Sequence, residues 1–205
     1  MPVPLSEPFH PDLPMNFLAH IYLSGDDDGI MVGNFIADFV KGKKKDDYPY
    51  KIKKGIELHR KIDDFTDHHA ITRQSKARFN GKYGKYAGVI VDLYYDHYLA
   101  ANFPDFSSVP LADFSANSYR ILQQHHDILP EGVHYFLPFM IERNWLLNYA
   151  SIEGIGRALS GLSIRVSFEN KMNEAVNDLK EHYADFESDF REFFPELQNF
   201  VKSEI

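Results

Sequence analysis

The chain has 205 residues, 44% of them hydrophobic and 15% aromatic, enough for one sizeable core and too few for two ordinary domains. It contains no cysteine, which excludes disulfides, thiolate metal sites and a cysteine nucleophile, and leaves oxygen and imidazole to hold any metal. A net charge of −8 argues against nucleic acid as a partner, no apolar run approaches the ~20 residues of a membrane span, and the absence of a leader-like amino end points to a cytoplasmic protein.

Residues 1–14 carry five of the eleven prolines, at 2, 4, 8, 11 and 14. Proline removes backbone donors and disfavours helix, so this segment reads as an extended arm, and residues 15–205 as one domain. From Met15 on, apolar residues recur at spacings of three and four with few alternating stretches. That periodicity predicts helices over 15–24, 29–41, 49–66, 69–80, 83–102, 110–127, 131–149, 152–161 and 167–200, the last one broken, and no sheet. Gly42, Pro104 and the run Leu129-Pro130-Glu131-Gly132 supply the punctuation. The expected fold is an all-α, single-domain helical bundle.

Chemistry-bearing residues are set along these helices. His20 lies on an apolar first helix, where a lone histidine is more often a hydrogen-bonded core residue than a ligand. Asp38 sits alone among apolar neighbours at the end of the second. Between Lys41 and Lys61, nine basic residues face three acidic ones, a local +6 against −14 on the remaining 184 residues. Such an island is either a solvated face or a landing surface for an anionic partner.

In the third predicted helix His59, Asp63 and Asp67 fall four residues apart and project from one side, with Arg60 and Asp64 on the neighbouring stripe. An imidazole with carboxylates is the ligand chemistry of manganese, iron or zinc, although the same spacing also makes surface ion pairs. The fifth predicted helix is almost wholly apolar and aromatic yet carries Asp92, Asp96 and His97. Buried carboxylates need a cation, either an arginine such as Arg60 or Arg78 or a metal. Taken together, Asp38, Asp92, Asp96, His20 and His97 are too many uncompensated polar groups for an ordinary core, and a shared metal centre accounts for them.

Read in order, Asn16-Phe17-Leu18-Ala19-His20, Gly33-Asn34 through Asp38-Phe39 to Lys41-Gly42, Gly55-Ile56 with Leu58-His59-Arg60 and Ile62-Asp63, Thr66-Asp67, and Asp92 with Asp96-His97 and Leu99-Ala100 resemble the acyl carrier protein phosphodiesterase family. The resemblance runs from Met15 to about residue 185. It implies a fold related to the HD-domain phosphohydrolases, a divalent ion that is typically Mn2+, and conversion of holo acyl carrier protein to the apo form with release of 4′-phosphopantetheine. It ties Asp38 to metal binding and makes His59, Asp63, Asp92, Asp96 and His97 further candidates. The proline arm and the order of the ligands depart from the usual pattern.

The resulting expectation is a metal held by some of Asp38, His59, Asp63 and Asp96, with His20 as a further ligand, that acidifies a water for attack on the phosphodiester. Arg60 would stabilise charge on the phosphoryl oxygens. His97 would protonate the departing seryl oxygen, with His59 able to exchange roles with it. The substrate's acidic surface would dock on Lys41, Lys43, Lys44, Lys45, Lys51, Lys53 and Lys54. The alternatives are a metal phosphohydrolase acting on a nucleotide or another small phosphoester, and a non-enzymatic helical scaffold.

Overall fold

A computed structural model describes residues 16–166, 168 and 170–205; the proline arm expected over 1–14 lies outside the described residues. The helices are α1 (Phe17–Tyr22), α2 (Asp28–Ile36), α3 (Tyr50–His68), α4 (Ala70–Ala77), α5 (Ala87–Ala101), α6 (Leu111–Gln124), α7 (Glu131–Glu142), α8 (Trp145–Asn148), α9 (Ile152–Arg165), α10 (Ala175–Glu181) and α11 (Tyr183–Glu204). Among the described residues there is no strand, so the all-α expectation holds. No described helix is long and apolar enough to cross a membrane.

Apolar on every side, α5 runs through the middle, with all its residues from Leu93 to Ala100 buried. Against it packs α11, whose Phe186, Phe190, Phe193, Phe194, Leu197 and Val201 recur at helical spacing and are buried. Tyr94 meets Phe186 edge to face at 4.9 Å, and Tyr95 stacks on Phe193 at 5.2 Å. Full burial of each such ring contributes about 1.5–3 kcal/mol before entropy is counted. A buried ion pair fastens α4 to α11. Asp189, 3% exposed, accepts two bonds of 3.0 Å from the Arg78 guanidinium, one of 2.7 Å from Ser75 Oγ and one of 2.8 Å from Gln74 Nε2. Arg78 is thereby committed to Asp189, not to Asp92 or Asp96.

The feature that positions the site is the crossing of α2 and α3. Gly33 and Gly55 meet there backbone to backbone. A Cβ on Gly33 would lie 2.0 Å from the Ile52 carbonyl oxygen, and one on Gly55 would lie 2.1 Å from that of Ile30. Only glycine permits this approach.

Several boundaries differ from the periodicity. The predicted 29–41 helix ends at Ile36 and gives way to a 3-10 turn over Ala37–Phe39 and an extended Val40, and a second 3-10 segment, Gly42–Asp47, follows. The 131–149 helix is cut by Asn144, whose left-handed φ of 43° ends α7 and starts α8. The last helix breaks at His182 into α10 and α11, and α11 continues to Glu204 with Pro195 inside it; part of the segment expected to begin it lies outside the described residues.

Candidate metal centre

The α2–α3 contact brings His59 beside the last turn of α2, where helical carbonyls run out of donors within the helix. His59 Nδ1–H donates to the Asn34 carbonyl at 2.8 Å, with Asn34 Oδ1 at 3.2 Å. His20, from α1, donates from Nδ1 to the same Oδ1 at 2.9 Å. The amide orientation is fixed at its other end, since Asn34 Nδ2 donates to the His20 carbonyl at 2.8 Å and to Ser24 Oγ at 3.0 Å. One fully buried asparagine therefore orients both imidazoles, which stack with centroids 3.9 Å apart. With both Nδ1 protons committed to oxygen acceptors, both Nε2 atoms keep lone pairs directed away from Asn34.

Those Nε2 atoms converge on Asp63, with His20 Nε2 at 3.3 Å from Oδ1 and His59 Nε2 at 3.2 Å from Oδ2. Asp38 Oδ1 stands 3.3 Å from His59 Nε2 on another side. His20, His59 and Asp63 place one ligand atom each within 4.8 Å of one another. Burial pushes the His59 imidazole down, but the carboxylates of Asp38 and Asp63 outweigh it and raise the pKa to about 10. Burial raises Asp63, and His20 and His59 overcome it to hold that carboxyl far below its ordinary value. The cluster is thus a strong electrostatic sink for a cation on the imidazole lone pairs, and the donor set of two oriented imidazoles with carboxylates fits a divalent transition ion.

A cavity of about 360 Å³ opens over this cluster. Its lining combines His20, His59, Asp38 and Asp63, with Asp67, Asp92 and Asp96, and apolar residues such as Val89, Leu162, Val166 and Leu197. Burial drives the Asp92 pKa well up, reinforced by repulsion from Asp63, Asp67 and Asp96.

Other expected site residues stand elsewhere. Asp96 lines the cavity, but its two oxygens accept from Leu18 N at 3.0 Å and Ala19 N at 2.8 Å. It caps α1, a task Asn16 leaves undone, and it does not join the converging ligand atoms. Burial raises its pKa to about 7 against the opposing pull of the two N–H groups. His97, one residue further along α5, points out of the cavity. Its Nδ1 donates to the Tyr149 carbonyl at 2.8 Å, its Nε2 meets Tyr183 OH at 3.0 Å, and burial lowers its pKa. These contacts engage both ring nitrogens inside the core, and His97 is not among the residues lining the cavity. Arg60 is exposed, donates to the Val40 carbonyl at 2.8 Å and does not line the cavity.

Within the basic island Lys45 pairs with Glu57 at 2.6 Å, Lys51 with Asp27 at 2.9 Å and Lys53 with Asp46 at 2.5 Å. Lys54 lies over the Tyr50 ring. Lys41, Lys43 and Lys44 are exposed on the segment that follows Asp38. The sequence reading assigned Asn34 no role; a buried asparagine in the run Ile30-Met31-Val32-Gly33-Asn34-Phe35-Ile36 was the available signal.

Fold and cavity together define an all-helical protein with a histidine–aspartate centre in the lining of a cavity. A family model described as acyl carrier protein phosphodiesterase matches residues 15–197, and the chain belongs to that family, whose named members are phosphoric diester hydrolases. The acyl carrier protein phosphodiesterase of Photorhabdus laumondii is 32% identical over 185 residues, covering 88% of this chain and 92% of its own. Those of Klebsiella pneumoniae strain 342 and Escherichia coli O157:H7 are 31% and 30% identical, covering 92% and 89% of this chain and 98% and 95% of theirs. No solved structure matches, so kinship with the HD-domain phosphohydrolases stays an implication of the resemblance.

Proposed function

We propose that this chain hydrolyses the phosphodiester that joins 4′-phosphopantetheine to the serine of holo acyl carrier protein, yielding the apo protein, with a divalent ion, taken as Mn2+, held by His20, His59 and Asp63 and with Asp38 beside them. The observation that carries the metal reading is Asn34, whose Oδ1 accepts the His20 Nδ1 proton and whose backbone carbonyl accepts that of His59, leaving both Nε2 lone pairs directed at one point. An ion bound there supplies Lewis-acid polarisation of the phosphoryl group and acidifies water.

The chain's own residues do the rest. Asp63 and Asp38 hold negative charge at the imidazole edge and keep the ion's position fixed. The apolar wall of Val89, Leu162, Val166 and Leu197 excludes water beside the scissile bond and suits the uncharged part of the pantetheine arm. In place of His97, the Asp92 carboxyl carries the proton for the departing seryl oxygen; burial drives its pKa upward. Lys43 and Lys44, for which no carboxylate partner exists among the described residues, are the cations best placed to meet the acidic carrier protein.

Incubating holo acyl carrier protein with the enzyme and Mn2+, followed by intact mass, tests the reading. Loss of the phosphopantetheine mass is expected. An unchanged holo mass together with turnover of nucleotides would replace this substrate with a small phosphoester.

A further inference from the structure

A second cavity, of about 140 Å³, lies on the other face of α9 and is lined by three arginines, Arg143, Arg157 and Arg165, and by no carboxylate. On a chain of net charge −8 such a concentration of guanidinium is out of keeping with the rest of the surface. Among the described residues no carboxylate lies within ion-pairing distance of Arg143 or Arg157.

The cavity is built, not incidental. Gly154, Ala158 and Gly161 recur along one face of α9 and present nothing larger than a methyl group to the cavity. Gly154 lets α9 approach α8 so closely that a Cβ there would lie 1.8 Å from the Asn148 carbonyl oxygen. Asn148 ties the walls together, donating from Nδ2 to the carbonyls of Arg143 at 2.6 Å and Asn144 at 3.1 Å while its Oδ1 accepts from Arg157 Nη2 at 3.2 Å. Trp145 is stacked on Phe136 on one side and carries the Arg165 guanidinium 5.9 Å from its ring on the other. With its faces occupied, the indole orients an arginine and offers no platform for a base.

We propose that this cavity binds the dianionic phosphate of a phosphate monoester or of inorganic phosphate, on a site separate from the histidine–aspartate centre. Planar forked donors match phosphate oxygens two at a time, and a cavity of about 140 Å³ suits a small anionic group in preference to a protein surface. The same helix contributes to both cavities, Gly161 and Arg165 to one and Leu162 to the other.

The test uses the full chain with metal removed by chelator, so that the histidine–aspartate centre is not an anion site. Inorganic phosphate and 4′-phosphopantetheine are titrated separately, followed by calorimetry and by thermal shift against sodium chloride at equal ionic strength. Saturable binding is expected for at least one probe, and the tighter probe identifies the source of the phosphate. In the Arg143→Gln/Arg157→Gln double variant, whose exposed side chains are dispensable for folding, affinity should fall at least tenfold with the melting temperature in chloride unchanged. Absence of saturable binding by either probe, or equal affinity in the double variant, overturns the proposal. So does a variant that binds normally once Arg165→Gln is added.

Discussion

Substituting Gly55 by alanine puts the site's architecture under direct strain. The new Cβ would lie 2.1 Å from the Ile30 carbonyl oxygen, 2.8 Å from Asn34 N and 2.9 Å from Gly33 Cα, all backbone atoms that cannot swing aside. Restoring ordinary contact requires α2 and α3 to part by about 1 Å, since non-bonded heavy atoms settle roughly 3.5 Å apart. The His59 Nδ1 bond to the Asn34 carbonyl is 2.8 Å, and the same displacement carries it past the limit of a hydrogen bond. Overpacking of a core costs about 1–3 kcal/mol and the lost buried bond about 1 kcal/mol. The sum, about 2–4 kcal/mol, lowers the melting temperature of a chain this long by roughly 4–16 °C. Because the imidazole loses its orienting partner, Mn2+ affinity should fall about 10–100-fold as well. Differential scanning fluorimetry and metal titration read the two effects separately. A G55A protein that melts with the wild type and binds Mn2+ unchanged would refute the close-crossing argument.

Asn34→Ala removes Oδ1, the acceptor of His20 Nδ1 and the more distant neighbour of His59 Nδ1; it should cost about 2–4 kcal/mol in urea unfolding and about 10–100-fold in Mn2+ affinity, whereas a purely local packing role would leave the affinity intact. Asp189→Ala strips Arg78 of its buried partner and should destabilise by about 3–5 kcal/mol, with Mn2+ binding by the folded protein unchanged, measured at a temperature below its melt. For His59 the pKa is raised to about 10 in the metal-free chain. The pairing it reports therefore stabilises fully below the unfolded value near 6.5 and is lost as pH rises through about 10. The same proton competes with the ion, so Mn2+ affinity should climb about tenfold per pH unit between roughly pH 7 and 9, and a pH-independent isotherm would contradict the assignment. Asp92→Asn should lower kcat by about 10²–10⁴-fold while stoichiometric metal binding persists; loss of the metal instead would make Asp92 a ligand.

What the sequence disclosed and what it withheld divide along a physical line. Spacing alone put His59 and Asp63 on one side of α3, because residues four apart share a helix face, and the run from Ile90 to Ala100, apolar and aromatic except at Asp92, Asp96 and His97, marked α5 as buried. Features that depend on two distant segments left no local trace. Asp96 caps α1 across 77 and 78 residues, so it looked like a ligand only because its true partners, two backbone N–H groups, carry no sequence signature. His97 follows it by one position, about 100° around the helix, and turns to Tyr149 and Tyr183. The lysine island read as a uniform patch until Asp27, Asp46 and Glu57 were seen to neutralise three of its members. The end of α2 at Ile36 was hidden because the apolar period continues through Phe39 and Val40, while the chain leaves the helix there and places Asp38 at the cavity.

The most direct test of the account is Mn2+ titration of the purified, chelator-treated chain, followed by electron paramagnetic resonance. The wild type and an Asp64→Asn variant, altered at an exposed position on the same helix, should bind the ion stoichiometrically, and His20→Ala, His59→Ala and Asp63→Ala should each weaken binding at least 100-fold while retaining helical circular dichroism. A wild type that takes up no divalent ion, or three variants that bind as tightly as it does, would contradict the centre.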